Sequence, residues 1–202
     1  MVRPGAKDDA ELFLVAEFHD ALAAILGDSV VRGDSIPTSD LDLVVVTHRG
    51  QPPYRESFEQ FGWLIETFVH TPTSYRDYFD KDIGRGPPEL ALSEISDFRY
   101  RITNLIDDLV GSEHYDESLF TANDLSVLLC DLLLGINRRW TGRDKWVMRA
   151  LERYDIGTAG RLTAALQQSA CSGGHGALVS LADEVLAEVG GRLFDGYNSG
   201  RD

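Results

Sequence analysis

The run Gly27-Asp28-Ser29-Val30-Val31-Arg32-Gly33-Asp34-Ser35-Ile36-Pro37-Thr38-Ser39-Asp40-Leu41-Asp42-Leu43-Val44-Val45-Val46 decides how this chain is read. Its second half is β-branched and apolar and follows a turn-rich stretch, so residues 40 to 47 are expected to form a strand. Side chains alternate along a strand, which sends Asp40 and Asp42 to one face and Leu41, Leu43 and Val45 to the other. Two carboxylates then share one small volume. Such a pair is costly unless a cation or water offsets it, and hard oxygen donors facing a triphosphate suit Mg²⁺. Upstream, the turn from Ser29 to Gly33 offers a hydroxyl and backbone N–H groups as a cradle for phosphate oxygens, and Arg32 adds a fixed positive charge.

Outward from this run, Leu12, Val15, Phe18, Leu22 and Ile25 recur at helical spacing and Gly27 supplies a stop, which predicts a helix from Asp8 to Leu26. Val30 and Val31 read as a short strand, Arg32 to Ser39 as a turn. The loop from Gly50 to Pro53 is expected to lead into a short helical stretch. Trp63 to His70 follows as a third strand, and Ser74 to Asp82 as a helix. The third strand carries Glu66 between Ile65 and Thr67. Three readings stand for it: a third metal-site carboxylate, the general base that takes a proton from an acceptor hydroxyl, or an edge-strand charge.

Two glycines and two prolines between Gly84 and Pro88 mark a boundary, giving domains at residues 1–86 and 87–202. Beyond it the sequence reads as helices over Pro88 to Val110, Ala122 to Trp140 behind a Thr121 cap, Asp144 to Tyr154, Gly157 to Ala170 and Ala177 to Val189. Strands early and helices late predict an α+β chain, a small mixed sheet with flanking helices followed by a helical bundle.

With 202 residues, 43% of them hydrophobic, the chain can bury a core without a covalent staple. Cys130 and Cys171 lack metal-ligand spacing and are expected as two buried free thiols. The formal net charge of −14 argues against a protein that embraces a phosphate backbone, so nucleic acid is not an expected partner. No basic segment precedes an apolar run at the N-terminus, and no stretch reads as a bilayer span. No membrane partner is expected, and the expected location is cytoplasmic.

The block Ser39-Asp40-Leu41-Asp42-Leu43, spaced from Ser29 and Arg32-Gly33, resembles the signature of the polymerase-beta-like nucleotidyltransferases, in particular the small bacterial aminoglycoside and minimal nucleotidyltransferases. The segment from Trp63 to Tyr78 resembles the family's third-strand region, and residues 190–197 its C-terminal part. The resemblance implies a nucleotidyltransferase module at the N-terminus. It also implies transfer of a nucleoside monophosphate, AMP foremost, from an NTP to a hydroxyl acceptor, with two Mg²⁺ ions. Asp40, Asp42 and Glu66 would be the catalytic and metal-binding residues. Ser29, Arg32, Gly33 and Ser39 would bind the nucleotide, and Lys145 or Arg143 would reach the triphosphate from the helical half unless both are solvated cations. The acceptor is left open between a small molecule such as an aminoglycoside and a protein hydroxyl, as is a homodimer.

One departure is Asp28, which stands where the family has glycine directly before the serine. A carboxylate about 5 Å from a phosphate costs roughly 3 kcal/mol at an effective dielectric near 20. Either Asp28 turns away and pairs with Arg32, or Gly27 serves the turn in a shifted register, or the chain keeps the fold as a catalytically impaired nucleotide- or partner-binding protein. Asp107 and Asp108 read as solvent-facing or as contacts for a cationic acceptor, His48, His70 and His114 as structural or surface, and Trp63, Trp140 and Trp146 as packing residues or a stacking surface for a base or sugar.

Overall fold

The computed structural model describes residues 5–33, 35–36, 38–48, 53–84 and 86–199. The chain divides into two compact units, Met1–Gly84 and Arg85–Asp202.

The first unit is a four-stranded mixed sheet with helices. Helix α1 (Ala6–Glu17) precedes β1 (Ala21–Leu26), the short helix α2 (Asp28–Arg32), β2 (Leu41–Thr47), β3 (Tyr54–Gln60), β4 (Trp63–His70) and α3 (Pro72–Tyr78), which runs on into a π turn at Phe79–Ile83. The strand order is β1-β2-β4-β3, with β2 and β4 parallel and both outer pairs antiparallel. Alternation on the two central strands divides the sheet. Leu41, Leu43 and Val45 of β2 and Trp63, Ile65 and Val69 of β4 are buried with Ala6, Ala10 and Phe13 of α1, each large side chain contributing about 1.5–3 kcal/mol by leaving water. Phe13, Phe18 and Phe58 add an aromatic cluster with ring centroids 5.0–6.5 Å apart. Trp63 Nε1 donates to Asp9 Oδ2 at 3.0 Å, tying α1 to β4. The opposite face of the same strands carries Asp42 and Glu66.

Three elements differ from the sequence expectation. The helix predicted to run to Leu26 ends at Glu17, and residues 21–26 form β1, whose Leu22 and Ile25 are exposed. Pairing with β2 overrides the helical spacing. Val30 and Val31 lie in α2 rather than a strand, because Gly27 starts and Gly33 (φ 78°) stops a single short helix around them. The helical stretch expected after residue 53 is β3, an edge strand joined to β4 through Phe61 and Gly62, both at positive φ (54° and 76°), the backbone of a type I′ hairpin turn. Residues 50–52 of the predicted loop lie outside the described residues.

The second unit is a bundle of α4 (Leu92–Gly111), α5 (Tyr115–Ile136), α6 (Lys145–Tyr154), α7 (Ile156–Ser172) and α8 (Gly176–Ala187). Helix α5 starts six residues before the Thr121 cap expected from sequence; Asp116 and Glu117 occupy its first turn, where acids favour the helix dipole. By length and composition alone it could cross a bilayer, and half of that stretch is buried inside the bundle, as in a core helix. Leu125, Leu129 and Leu132 join Ile102, Ile106, Leu162, Leu178 and Leu186 in the core. The chain after α8 folds back along α4: Arg99 donates to the carbonyls of Gly190 and Gly191 at 2.8 Å, and Tyr197 stacks on Tyr100 with centroids 4.0 Å apart.

Candidate metal and nucleotide site

Parallel pairing of β2 with β4 sets Asp42 directly opposite Glu66, on the sheet face away from α1. Asp40, two residues before Asp42, shares that side. One carboxylate oxygen from each of Asp40, Asp42 and Glu66 lies within 4.8 Å of the others, and all three residues are half-buried. Three like charges so close repel one another by about 1–3.5 kcal/mol per pair, between water-like and protein-surface dielectrics. Arg55 on β3 offsets part of this, since its Nη2 donates to Glu66 Oε2. The guanidinium also lies over the Phe68 ring, 5.1 Å from its centroid. Sequence reasoning missed Arg55 because β3 itself was missed.

The donor set fits a hard divalent cation. Octahedral Mg²⁺ holds oxygens at about 2.1 Å, hence about 3 Å apart when adjacent and about 4 Å when opposite. Oxygens within 4.8 Å reach those separations by small side-chain rotations.

The segment before β2 is tied to the carboxylate strand. Gly27 N–H donates to the Asp42 carbonyl at 2.8 Å, and a Cβ at Gly27 would sit 3.7 Å from that oxygen. The N-terminal end of α2 is thereby bonded to the residue that carries the central carboxylate. Ser29 and Ser39 are buried together: Ser29 Oγ donates to Ser39 Oγ at 3.2 Å, and Ser39 Oγ accepts from Ile36 N–H at 2.9 Å. These two serines clasp the start of α2 to the end of the loop. Ser35 Oγ is also buried, and has no hydrogen-bond partner among the described residues. Gly33 N–H is engaged by the Ser29 carbonyl, and Arg32 is an exposed residue in the last turn of α2. Asp28 is the first residue of α2, but the direction of its side chain, and with it the pairing with Arg32, lies outside the described residues.

Lys145 and Arg143 belong to the second unit. Lys145 opens α6 with its ammonium 5.5 Å from the Trp146 ring centroid, and Arg149 (4.7 Å) and Arg153 (6.0 Å) approach the same ring. Trp63 is core, whereas Trp140 is 54% exposed and does not pack as expected. Asp107 and Asp108 are exposed, Asp107 pairing with Arg192 at 3.5 Å. His70 sits beside Ser74, Tyr75 and Tyr78 at the end of β4. Both cysteines are free, but only Cys130 is buried; Cys171 is exposed. Burial first, and the Asp131 charge second, push the Cys130 thiol up to about 12, so it carries no thiolate at neutral pH.

No family model and no curated protein matches the sequence. Among solved structures, a nucleotidyltransferase-like protein from Exiguobacterium sibiricum 255-15 is similar over 92% of this chain and 76% of its own, at 12% identity and a TM-score of 0.43. That degree of likeness transfers no residue roles, and the functional reading rests on the geometry of Asp40, Asp42 and Glu66.

Proposed function

We propose that this chain is a Mg²⁺-dependent nucleotidyltransferase that moves a nucleoside monophosphate, AMP foremost, from an NTP to a hydroxyl acceptor and releases pyrophosphate. The observation that carries the reading is the trio of carboxylate oxygens within 4.8 Å, from Asp42 and Glu66 on adjacent parallel strands and Asp40 just before β2, beside a segment hydrogen-bonded to the Asp42 backbone. Asp40, Asp42 and Glu66 would hold the metal. When bound, Mg²⁺ neutralises the triphosphate and lowers the pKa of the acceptor hydroxyl, a second ion serving the leaving group.

The remaining work falls to this chain's own side chains. Ser29 and Ser39 keep α2 and the loop in one arrangement through their mutual hydrogen bond, Gly33 ends α2, and Arg32 supplies positive charge toward phosphate oxygens. Lys145 is the candidate cation from the helical unit. Glu66, ion-paired with Arg55, either completes the metal site or takes the acceptor's proton. The hydrogen bond from Gly27 to Asp42 supports the reading in which Gly27 takes the glycine's part next to Asp28. The acceptor is a small molecule such as an aminoglycoside or a protein hydroxyl.

Pyrophosphate release from each Mg-NTP, measured against a panel of aminoglycosides and hydroxyl compounds, tests the assignment. Asp42→Ala should abolish release with the circular dichroism spectrum unchanged. Transfer retained by that variant removes the assignment. Wild-type protein that binds Mg-NTP and never releases pyrophosphate, while Asp28→Gly does, identifies a catalytically impaired member.

A further inference from the structure

The helical unit has a cavity of its own, about 620 Å³ in volume, within the roughly 300–1,000 Å³ range of small-molecule sites. It lies between α4, α5 and the segment that joins α5 to α6. Arg101 and Leu105 come from one face of α4, four residues apart; Asp124, Leu128 and Asp131 come from one face of α5 at four- and three-residue spacing; Arg143 closes the rim. The wall therefore bears two guanidiniums and two carboxylates over an apolar floor, a balanced set in a chain of net charge −14. Among the described residues, the side chains of Arg101, Asp124 and Arg143 form no hydrogen bond or ion pair, and the Asp131 carboxylate accepts one from Thr141. Opposite charges that line one cavity without pairing with one another are placed for a ligand that carries both signs.

We propose that this cavity binds a small amino-acid-like zwitterion, its ammonium against Asp124 and Asp131, its carboxylate against Arg101 and Arg143, and its apolar middle over Leu105 and Leu128. A polycation would leave two guanidiniums facing like charge, and a polyanion would do the same to the two carboxylates, so the wall discriminates against both. Arg offers a carboxylate a planar two-pronged donor, which fixes the orientation of the bound molecule. The inference is independent of the carboxylate site in the first unit, and it holds whether or not that site transfers nucleotides.

The test is calorimetric titration of the full chain with three probes that share one body: 4-(aminomethyl)benzoate, which carries both charges, benzylamine, which carries the cation alone, and benzoate, which carries the anion alone. The zwitterion should bind about tenfold or more tighter than either singly charged probe, the worth of one charge-assisted contact. Asp124→Asn with Asp131→Asn should move the preference toward benzoate, and Arg101→Gln with Arg143→Gln toward benzylamine. Such opposite shifts cannot come from damage to the fold, which weakens every probe alike. Benzylamine binding as tightly as the zwitterion, no binding of the zwitterion up to about 10 mM, or equal weakening of all three probes in both double variants would overturn the proposal.

Discussion

Replacing Asp40 with asparagine should make the metal-free protein more stable while removing its response to Mg²⁺. Asp40 makes no hydrogen bond or ion pair among the described residues, so the substitution breaks nothing, and it removes one of three carboxylates whose oxygens lie within 4.8 Å. Glu66 is offset by Arg55 and Asp42 has an interaction of its own, so the bare Asp40–Asp42 repulsion sets the upper limit of the gain. At 4.8 Å that repulsion is about 3.5 kcal/mol at an effective dielectric of 20 and about 1 kcal/mol in bulk water. Half-burial puts the gain between them, about 1–3 kcal/mol. For a unit of this size each kcal/mol moves the melting temperature by about 4–8 °C. The assay is thermal unfolding in EDTA and in MgCl₂. Wild type should gain stability from Mg²⁺, and Asp40→Asn should start higher in EDTA and gain little. An Asp40→Asn protein no more stable than wild type in EDTA, or one that Mg²⁺ stabilises as strongly, refutes the view that these carboxylates are a strained cation site.

Arg55→Gln should act in the opposite sense, lowering metal-free stability by about 1 kcal/mol and enlarging the Mg²⁺-induced shift, because the cation no longer competes with a guanidinium; equal losses with and without Mg²⁺ would separate Arg55 from the site. Native protein should react with one equivalent of a thiol reagent at neutral pH, through Cys171, and with a second only after denaturation, since Cys130 is buried with its thiol raised to about 12; rapid modification of both thiols in the native state contradicts that packing. The hydrogen bond from Arg192 holds the Asp183 carboxyl below its usual value of 3.8, so its contribution is fully present above the unfolded-state pKa and is lost as pH falls through the folded one. Wild type should exceed Arg192→Gln by less than about 1 kcal/mol at pH 7, the pair being largely exposed, and the gap should close below the ordinary carboxylate range; a gap that widens on acidification has the wrong sign.

The sequence made the central strand legible because a β-branched apolar run follows a turn-rich stretch, with Asp40 and Asp42 alternating with Leu41 and Leu43 at its start. Leu, Ile, Phe and Val content identified Trp63 to His70, and Glu66 stood out there as a lone acid in an apolar run. That Glu66 lies opposite Asp42 was not legible, because strand order and the parallel register are long-range properties. Strand β1 was hidden by its composition: Ala, Leu and Ile are good helix formers, and an exposed edge strand bears no burial period to correct the reading. Strand β3 was hidden for the complementary reason, since Arg55, Glu56 and Glu59 keep a sheet edge from pairing with other chains yet read as helix-friendly polar residues. The turn at Phe61-Gly62 offered only its glycine as a signal, because phenylalanine is not a residue that marks the positive φ it adopts there. In the helical half the apolar periods located every helix but not every end. The cavity between α4 and α5 depends on which helix faces meet, and no local pattern encodes that.

The most direct measurement is an anomalous difference map from a crystal soaked with Mn²⁺ and a non-hydrolysable NTP analogue. The account predicts a manganese peak among the carboxylate oxygens of Asp40, Asp42 and Glu66, with the triphosphate beside α2 and the loop that follows it. A bound nucleotide whose metal lies elsewhere, or a peak that persists unchanged in Asp42→Ala, would contradict it.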